Sequence, residues 1–256
     1  MADKFRATAL ITSLIEIADG IYSMWIKEKE IASHAKAGQF VSLYCKAGQL
    51  LLPRPISICE IDPEGGTLRL VFRVAGSGTR EFSLLQQGDF IDVFGPLGNG
   101  FMPMGKKAIL IGGGIGIPPM LQLAKSLECE KTIVLGYRDK ELFLKEEFEL
   151  LGKVCVSTED GSYGTKGNVI NAITENKIDG DIIFACGPTP MLRGIKQFAQ
   201  EKGIKAQLSL EEKMACGIGA CLACVCQSER KDHHTNVNNK RVCKDGPVFF
   251  AEDITI

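Results

Sequence analysis

The chain has 256 residues, of which 45% are hydrophobic and 24% charged, and its formal net charge is −1 at pH 7. That length holds two domains of ordinary size and a small appendage, and that composition belongs to globular, water-soluble proteins. The near-zero charge gives no reason to expect nucleic acid or an anionic membrane as a partner, and no apolar run approaches the ~20 residues that cross a bilayer.

The start, Met1-Ala2-Asp3-Lys4-Phe5-Arg6, lacks the apolar core of a signal peptide. From Phe5 to about Phe101, short runs rich in β-branched and aromatic residues alternate with Gly, Pro and Asp. Strands are expected at 40–44, 56–61, 67–74 and 90–94, with one short helix at 79–87. Strands separated by turn signals in this way point to an antiparallel β-barrel. Two places in it carry chemistry. Arg54-Pro55-Ile56-Ser57 puts a guanidinium and a hydroxyl at the head of a strand, suited to gripping a pyrophosphate. Val71-Phe72-Arg73 runs into Val74-Ala75-Gly76-Ser77-Gly78-Thr79, a glycine-rich turn whose backbone N–H groups can hold an anion.

From Lys106 the pattern changes to apolar strands at 108–111, 132–136, 154–157 and 182–185. Helical segments are expected at 121–127, 143–151 and 191–201, which makes a doubly wound parallel sheet. The first of these strands runs into Gly112-Gly113-Gly114-Ile115-Gly116-Ile117-Pro118-Pro119. Such a strand-to-helix turn lets backbone amides approach a dinucleotide pyrophosphate, although Pro119 stands where a G-x-G-x-x-G motif has its third glycine. The last strand ends in Cys186-Gly187-Pro188, and ligands of open α/β sheets bind outside such carboxyl ends. In Arg138-Asp139-Lys140, an acid suits the ribose of NAD, whereas the bases suit a 2′-phosphate.

The final stretch contains Cys216, Cys221 and Cys224 in C-x4-C-x2-C spacing, with Cys243 following. This is the spacing of a plant-type [2Fe–2S] cluster, whose fourth thiolate comes from further along the chain. Cys221-x-x-Cys224 is also half of a zinc knuckle. Cys226 could replace Cys216 in the set. A Rieske-type site would enlist His233 and His234, but it needs two histidines and only two cysteines, and these histidines sit in a polar stretch that reads as a solvated loop. Cys45, Cys59, Cys129 and Cys155 each lie in an apolar run and read as small buried hydrophobes. Ten cysteines without an export signal suit a reducing compartment, the cytoplasm.

The R-P-x-S and G-T pairs of the first third, the G-G-G-x-G-x-x-P turn and the C-G-P-x-x-M segment together resemble the ferredoxin-NADP reductase superfamily. The resemblance implies FAD, with Arg54, Pro55, Ile56 and Ser57 around the isoalloxazine and pyrophosphate. It lays Val71, Phe72 and Arg73 along the flavin and caps the phosphates with Gly78 and Thr79. It assigns Gly112, Gly113, Gly114 and Gly116 to NAD(H), and Cys186, Gly187 and Pro188 to the nicotinamide pocket. NADH is the implied donor.

The order of parts adds to this: an FAD-binding barrel (1–104), an NAD-binding α/β domain (105–210) and a cluster module (211–256). With Ser209-Leu210-Glu211-Glu212-Lys213-Met214-Ala215-Cys216-Gly217 and the ending around Arg241-Val242-Cys243-Lys244-Asp245-Gly246-Pro247, nearly the whole chain resembles the electron-transfer subunit of class 1B dihydroorotate dehydrogenases. The stretch between Cys224 and Cys243 is longer and more polar than that family's usual form. The resemblance implies that NADH reduces FAD and that the cluster, held by Cys216, Cys221, Cys224 and Cys243, passes electrons to the FMN of a catalytic subunit. There dihydroorotate is oxidised for pyrimidine synthesis, in a heterotetramer of two subunits of each kind. Other readings are a related reductase subunit serving a hydrogenase or another flavoprotein, a stand-alone oxygenase reductase, and a redox- or zinc-dependent binding module without enzymatic activity.

Overall fold

A computed structural model describes residues 3–231 and 236–256; His233 and His234 lie outside them. β1 (Phe5–Ala18) and β2 (Ile21–Lys27) form a hairpin whose turn uses Gly20 at φ +65°. After the short α1 (Lys29–His34) come β3 (Phe40–Tyr44), β4 (Arg54–Asp62), β5 (Thr67–Arg73), α2 (Ser77–Ser83) and β6 (Phe90–Leu97). The six strands close into an antiparallel barrel in the order β1-β2-β5-β4-β3-β6. Ile11, Met24, Ile26, Leu43, Ile58, Leu68 and Leu70 fill its interior and have no exposed surface. They follow from alternation along each strand, which turns every second side chain inward. The helix expected at 79–87 runs instead from Ser77 to Ser83, where the chain tightens into bonds from the Leu84 N–H to Glu81 O and from the Leu85 N–H to Phe82 O.

The second region contains β7 (Lys107–Gly113), α3 (Pro118–Ser126), β8 (Glu130–Tyr137), α4 (Lys145–Glu149), β9 (Lys153–Thr158) and β10 (Thr165–Lys166). It continues through α5 (Val169–Glu175), β11 (Ile182–Cys186), α6 (Thr189–Lys202) and β12 (Lys205–Ser209). The tail supplies β13 (Val225–Ser228), β14 (Asn239–Arg241), α7 (Val242–Asp245), β15 (Val248–Phe250) and β16 (Ile254–Thr255). The main sheet runs β10-β9-β8-β7-β11-β12-β15, parallel except for the last pair. From β7 the chain moves outward to one edge and then returns to β11 on the other side. The crevice between β7 and β11 is therefore the switch point at which open sheets bind ligands. α4 is shorter than the expected 143–151: Leu144 is left-handed at φ +64°, so the helix starts only at Lys145.

The two regions are clamped together. Arg69 of β5, 8% exposed, donates to both carboxylate oxygens of Glu147 on α4, at 2.6 and 3.0 Å, and to Ser23 at 2.9 Å. Phe101 packs edge-on against Phe184 with ring centres 5.8 Å apart. The tail grips both regions. β15 extends the main sheet beside β12, and Asn99 of the barrel region donates its backbone N–H to Gly246 O at 2.6 Å. Among the described residues no helix is long and apolar enough to cross a membrane.

Candidate functional site

A cleft of about 370 Å³ opens where the three regions meet. Pro55, Ile56 and Ser57 of β4 and Val71, Phe72 and Arg73 of β5 form one wall. β3 lends Phe40, the glycine turn after β7 lends Ile115, and the chain leaving β12 lends Ser209 to Glu212 and Met214. Six of the residues expected along a flavin thus share one apolar slot with a charged rim, a form that suits a planar aromatic ligand.

Arg54 and Gly78 adjoin each other at the head of β4. A Cβ at Gly78 would overlap Arg54 Nε, so only glycine lets the guanidinium lie over the start of α2. Arg54 also donates to Leu52 O. Thr79 Oγ1 accepts from the backbone N–H of Ala75 at 2.9 Å and of Gly76 at 3.2 Å, which folds the turn onto itself. A fixed guanidinium beside a turn without Cβ bulk fits a pyrophosphate.

At the switch point, β7 and β11 pair with Cys186 opposite Gly112. A Cβ at Gly116 would lie 2.5 Å from the carbonyl of Cys186, and one at Gly113 or Gly187 would strike the side chain of Met191. These glycines let the two turns touch. Gly114 stands at φ +54°, and the nearest atom to its Cβ position is Arg73 Nη2 at 4.0 Å, so the turn abuts the cleft wall. Pro188 caps the start of α6. Burial, with the charge of Glu211 adding, pushes the Cys186 thiol up to about 12 although Ser209 opposes this. Cys186 is therefore a packed thiol and not a nucleophile at neutral pH. Much of Glu211 is exposed, yet its carboxyl lines the cleft, where loss of hydration raises its pKa and Arg73 partly offsets the rise.

The four tail thiols stand as two pairs. Cys216 neighbours the Cys221 thiol, and Cys243 neighbours the Cys224 thiol. The first pair lies in the Gly-rich loop, where Gly217 (φ +69°) and Gly219 (φ +84°) make the left-handed bends. The second is buried, with the Cys243 N–H 3.4 Å from Cys224 Sγ. Burial raises the Cys216 thiol. Hydrogen bonds from the Ile218 N–H, the Cys221 thiol and the Cys221 and Ala220 N–H groups outweigh that and bring it down to about 6. Two thiol pairs with N–H donors aimed at sulfur suit a two-iron cluster. Cys226 is buried on β13, and burial pushes its thiol up to about 11. Of the cysteines expected in the core, Cys59 and Cys155 are buried, but Cys45 and Cys129 are only half-buried: Cys45 ends its apolar run, and Cys129 stands between Glu128 and Glu130 at the core's margin, outside any apolar run.

Phe40, Ala75, Ile115, Ser209, Leu210, Met214 and Pro247 join the cleft although the sequence assigned none of them to a cofactor; all but Phe40 lie inside segments quoted above for other reasons. Pro247 arrives because Leu210 donates its N–H to Pro247 O at 2.9 Å, a contact made by a strand returning late in the chain.

Two family models match the chain: the iron-sulfur cluster binding domain of dihydroorotate dehydrogenase B over residues 211–255, and the oxidoreductase NAD-binding domain over residues 110–197. The chain is 43% identical to the dihydroorotate dehydrogenase B (NAD(+)) electron transfer subunit of Bacillus pumilus, with 98% of each chain covered. It is 42% identical to that of Caldanaerobacter subterraneus, with 98% and 99% covered. Among solved structures it resembles a chain of the NADH-dependent reduced ferredoxin-NADP oxidoreductase studied for flavin-based electron bifurcation. There the identity is 34% and the TM-score 0.87, over 97% of this chain and 90% of that one. A ferredoxin NADP+ reductase from Neisseria gonorrhoeae shares the fold at 19% identity, with a TM-score of 0.66 over 77% of this chain and 92% of that one.

Proposed function

We infer the function from the family to which the chain belongs, the electron-transfer subunits of dihydroorotate dehydrogenase B. It is an NADH-linked iron–sulfur flavoprotein oxidoreductase subunit that carries electrons between NAD(H) and the catalytic subunit, in the service of pyrimidine biosynthesis. When bound, NAD(H) exchanges electrons in pairs as hydride, FAD converts between paired and single electrons, and the [2Fe–2S] cluster carries them singly.

The observation that carries this reading is the shared cleft. Its walls combine β4 and β5 of the barrel, Ile115 of the glycine turn and Met214, which lies two residues before Cys216. On our reading Arg54, Gly78 and Thr79 hold the FAD pyrophosphate. Pro55, Ile56, Ser57, Val71, Phe72 and Arg73 line the isoalloxazine, and Phe40, Leu210 and Pro247 keep water from it. Gly112, Gly113, Gly114 and Gly116 admit the dinucleotide to the switch point, with Cys186, Gly187 and Pro188 as the floor of its nicotinamide end. Cys216 and Cys221 hold one iron, and Cys224 and Cys243 hold the other. The working division is a barrel at 1–104, an NAD-binding domain at 105–210 and a cluster module at 211–256. The partner carries FMN, the assembly contains two subunits of each kind, and the compartment is the cytoplasm.

The test separates the halves of the path. A Cys221→Ala chain that keeps its FAD is expected to be reduced by NADH at the parental rate in stopped flow. With the catalytic subunit added, it should fail to couple dihydroorotate oxidation to NAD reduction. Full coupling by the FAD-replete variant would overturn the linear path. The 34% identity to the ferredoxin-NADP oxidoreductase chain favours a second reading, in which the same outlet serves a different flavoprotein. Under that reading the parental chain itself fails to couple with a dihydroorotate-oxidising subunit.

A further inference from the structure

The four thiols come from two stretches, and one side chain ties them together. Arg241 lies two residues before Cys243 and opposite Val225 in the β13–β14 ladder, beside the residue that follows Cys224. Its Nη1 donates to Gly219 O at 3.1 Å, inside the loop that carries Cys216 and Cys221. Its Nε donates to Asp245 Oδ2 at 3.2 Å, and Nη2 donates to Oδ1 at 3.4 Å. Asp245 Oδ2 also accepts the Arg241 backbone N–H at 2.8 Å, which closes the turn around Cys243. From the other side, the Lys244 stem covers Gly219 so closely that a Cβ there would lie 2.7 Å from Lys244 Cδ. The backbone ties the guanidinium to the second thiol pair as well, since Val242 donates its N–H to Cys224 O at 2.9 Å and Cys243 N lies 3.4 Å from Cys224 Sγ. The side chains of the pair are 31% and 28% exposed, so solvent screens their charges only in part. A planar fork can serve Asp245 and Gly219 O together, which an ammonium point charge cannot match.

We propose that Arg241 and Asp245 are a positioning pair that fixes the cluster loop and sets the reduction potential of the cluster. This rests on the cluster reading given above. Taking up one electron makes the cluster one unit more negative, so a nearby cation favours the reduced form and a nearby anion opposes it. Outer groups that orient ligands also tune the metal they hold. The two residues are thus opposed levers: Arg241 raises the potential and Asp245 lowers it.

The experiment uses the full-length chain purified with FAD and cluster, and compares the parent with Arg241→Gln, Arg241→Lys and Asp245→Asn. Iron, sulfide and FAD are assayed, and the cluster's midpoint is followed by EPR during a dithionite titration. At parental iron content, Arg241→Gln should shift the midpoint down and Asp245→Asn should shift it up, with Arg241→Lys closer to the parent. If Arg241→Gln loses its iron, an upward shift in Asp245→Asn with iron retained by Arg241→Lys still supports the proposal. Unchanged midpoints in iron-replete variants, or shifts of the same sign from Arg241→Gln and Asp245→Asn, overturn it. So does iron loss in every variant, which would mark a purely structural pair. A parent chain without iron would overturn the cluster reading, and that failure is distinct from the others.

Discussion

The cluster loop and the cleft beside it are built in opposite ways. The loop draws three of its four thiols from nine consecutive residues, Cys216 to Cys224, and shapes them with left-handed glycines and backbone N–H groups from the same run. The cleft draws its walls from Phe40 to Pro247, and no two of its wall segments make a site by themselves. A local site depends on ligand identity and tolerates distant change. A composite site depends on close packing between elements, and single atoms decide whether its parts meet.

Removing a ligand gives the largest effect. Cys243→Ala takes a buried thiol from the second pair. It should cost more affinity for the cluster than the roughly 10–100-fold typical of losing an outer-shell partner, so the variant should carry far less iron than the parent. Cys226→Ala should keep the parental iron content. Iron and sulfide assays with FAD content decide between them, and iron retained by the first but lost by the second would place Cys226 in the ligand set.

The composite cleft should break without any loss of chemistry. Gly116→Ala sets a methyl 2.5 Å from the Cys186 carbonyl and 2.6 Å from Gly187 Cα, which forces the carboxyl ends of β7 and β11 apart. Overpacking of this kind costs about 1–3 kcal/mol. We expect a Tm lower by several degrees and slower reduction by NADH, at unchanged iron content. Gly194→Ala is the control. It lies inside α6 with open space around it and should gain about 0.5–1 kcal/mol of stability from helix propensity. If the two variants behave alike, close approach at Gly116 is not what joins the turns.

The same contrast explains what was legible in the sequence. The barrel strands, the strand–turn–helix at Gly112–Gly116 and the C-x4-C-x2-C run are local patterns, and each can be read where it stands. Cys243 has no local signature, and only the resemblance of the whole ending points to it. Pro247 reaches the cleft because β15 returns to pair with β12, a long-range contact that leaves no periodic trace. Leu144 shortens α4 by a left-handed turn that composition does not announce, because leucine is otherwise a good helix former.

The smallest effect concerns Glu211, a charge on the cleft wall five residues before Cys216. Loss of hydration in the cleft holds its carboxyl above the ordinary value of about 4.3, with Arg73 opposing. A carboxyl with a raised folded-state pKa binds its proton more tightly when folded, so ionising it costs stability. The cost is absent below the unfolded pKa, grows between the unfolded and folded values, and is complete above the folded one. Glu211→Gln removes it. The variant should therefore melt at a higher temperature than the parent at about pH 8, and this advantage should shrink as the pH falls toward about 5. An equal advantage at both pH values would mean that the gain comes from packing and not from charge. The cleft would then hold Glu211 without electrostatic cost, and the carboxylate would have to be as well hydrated as one on the open surface.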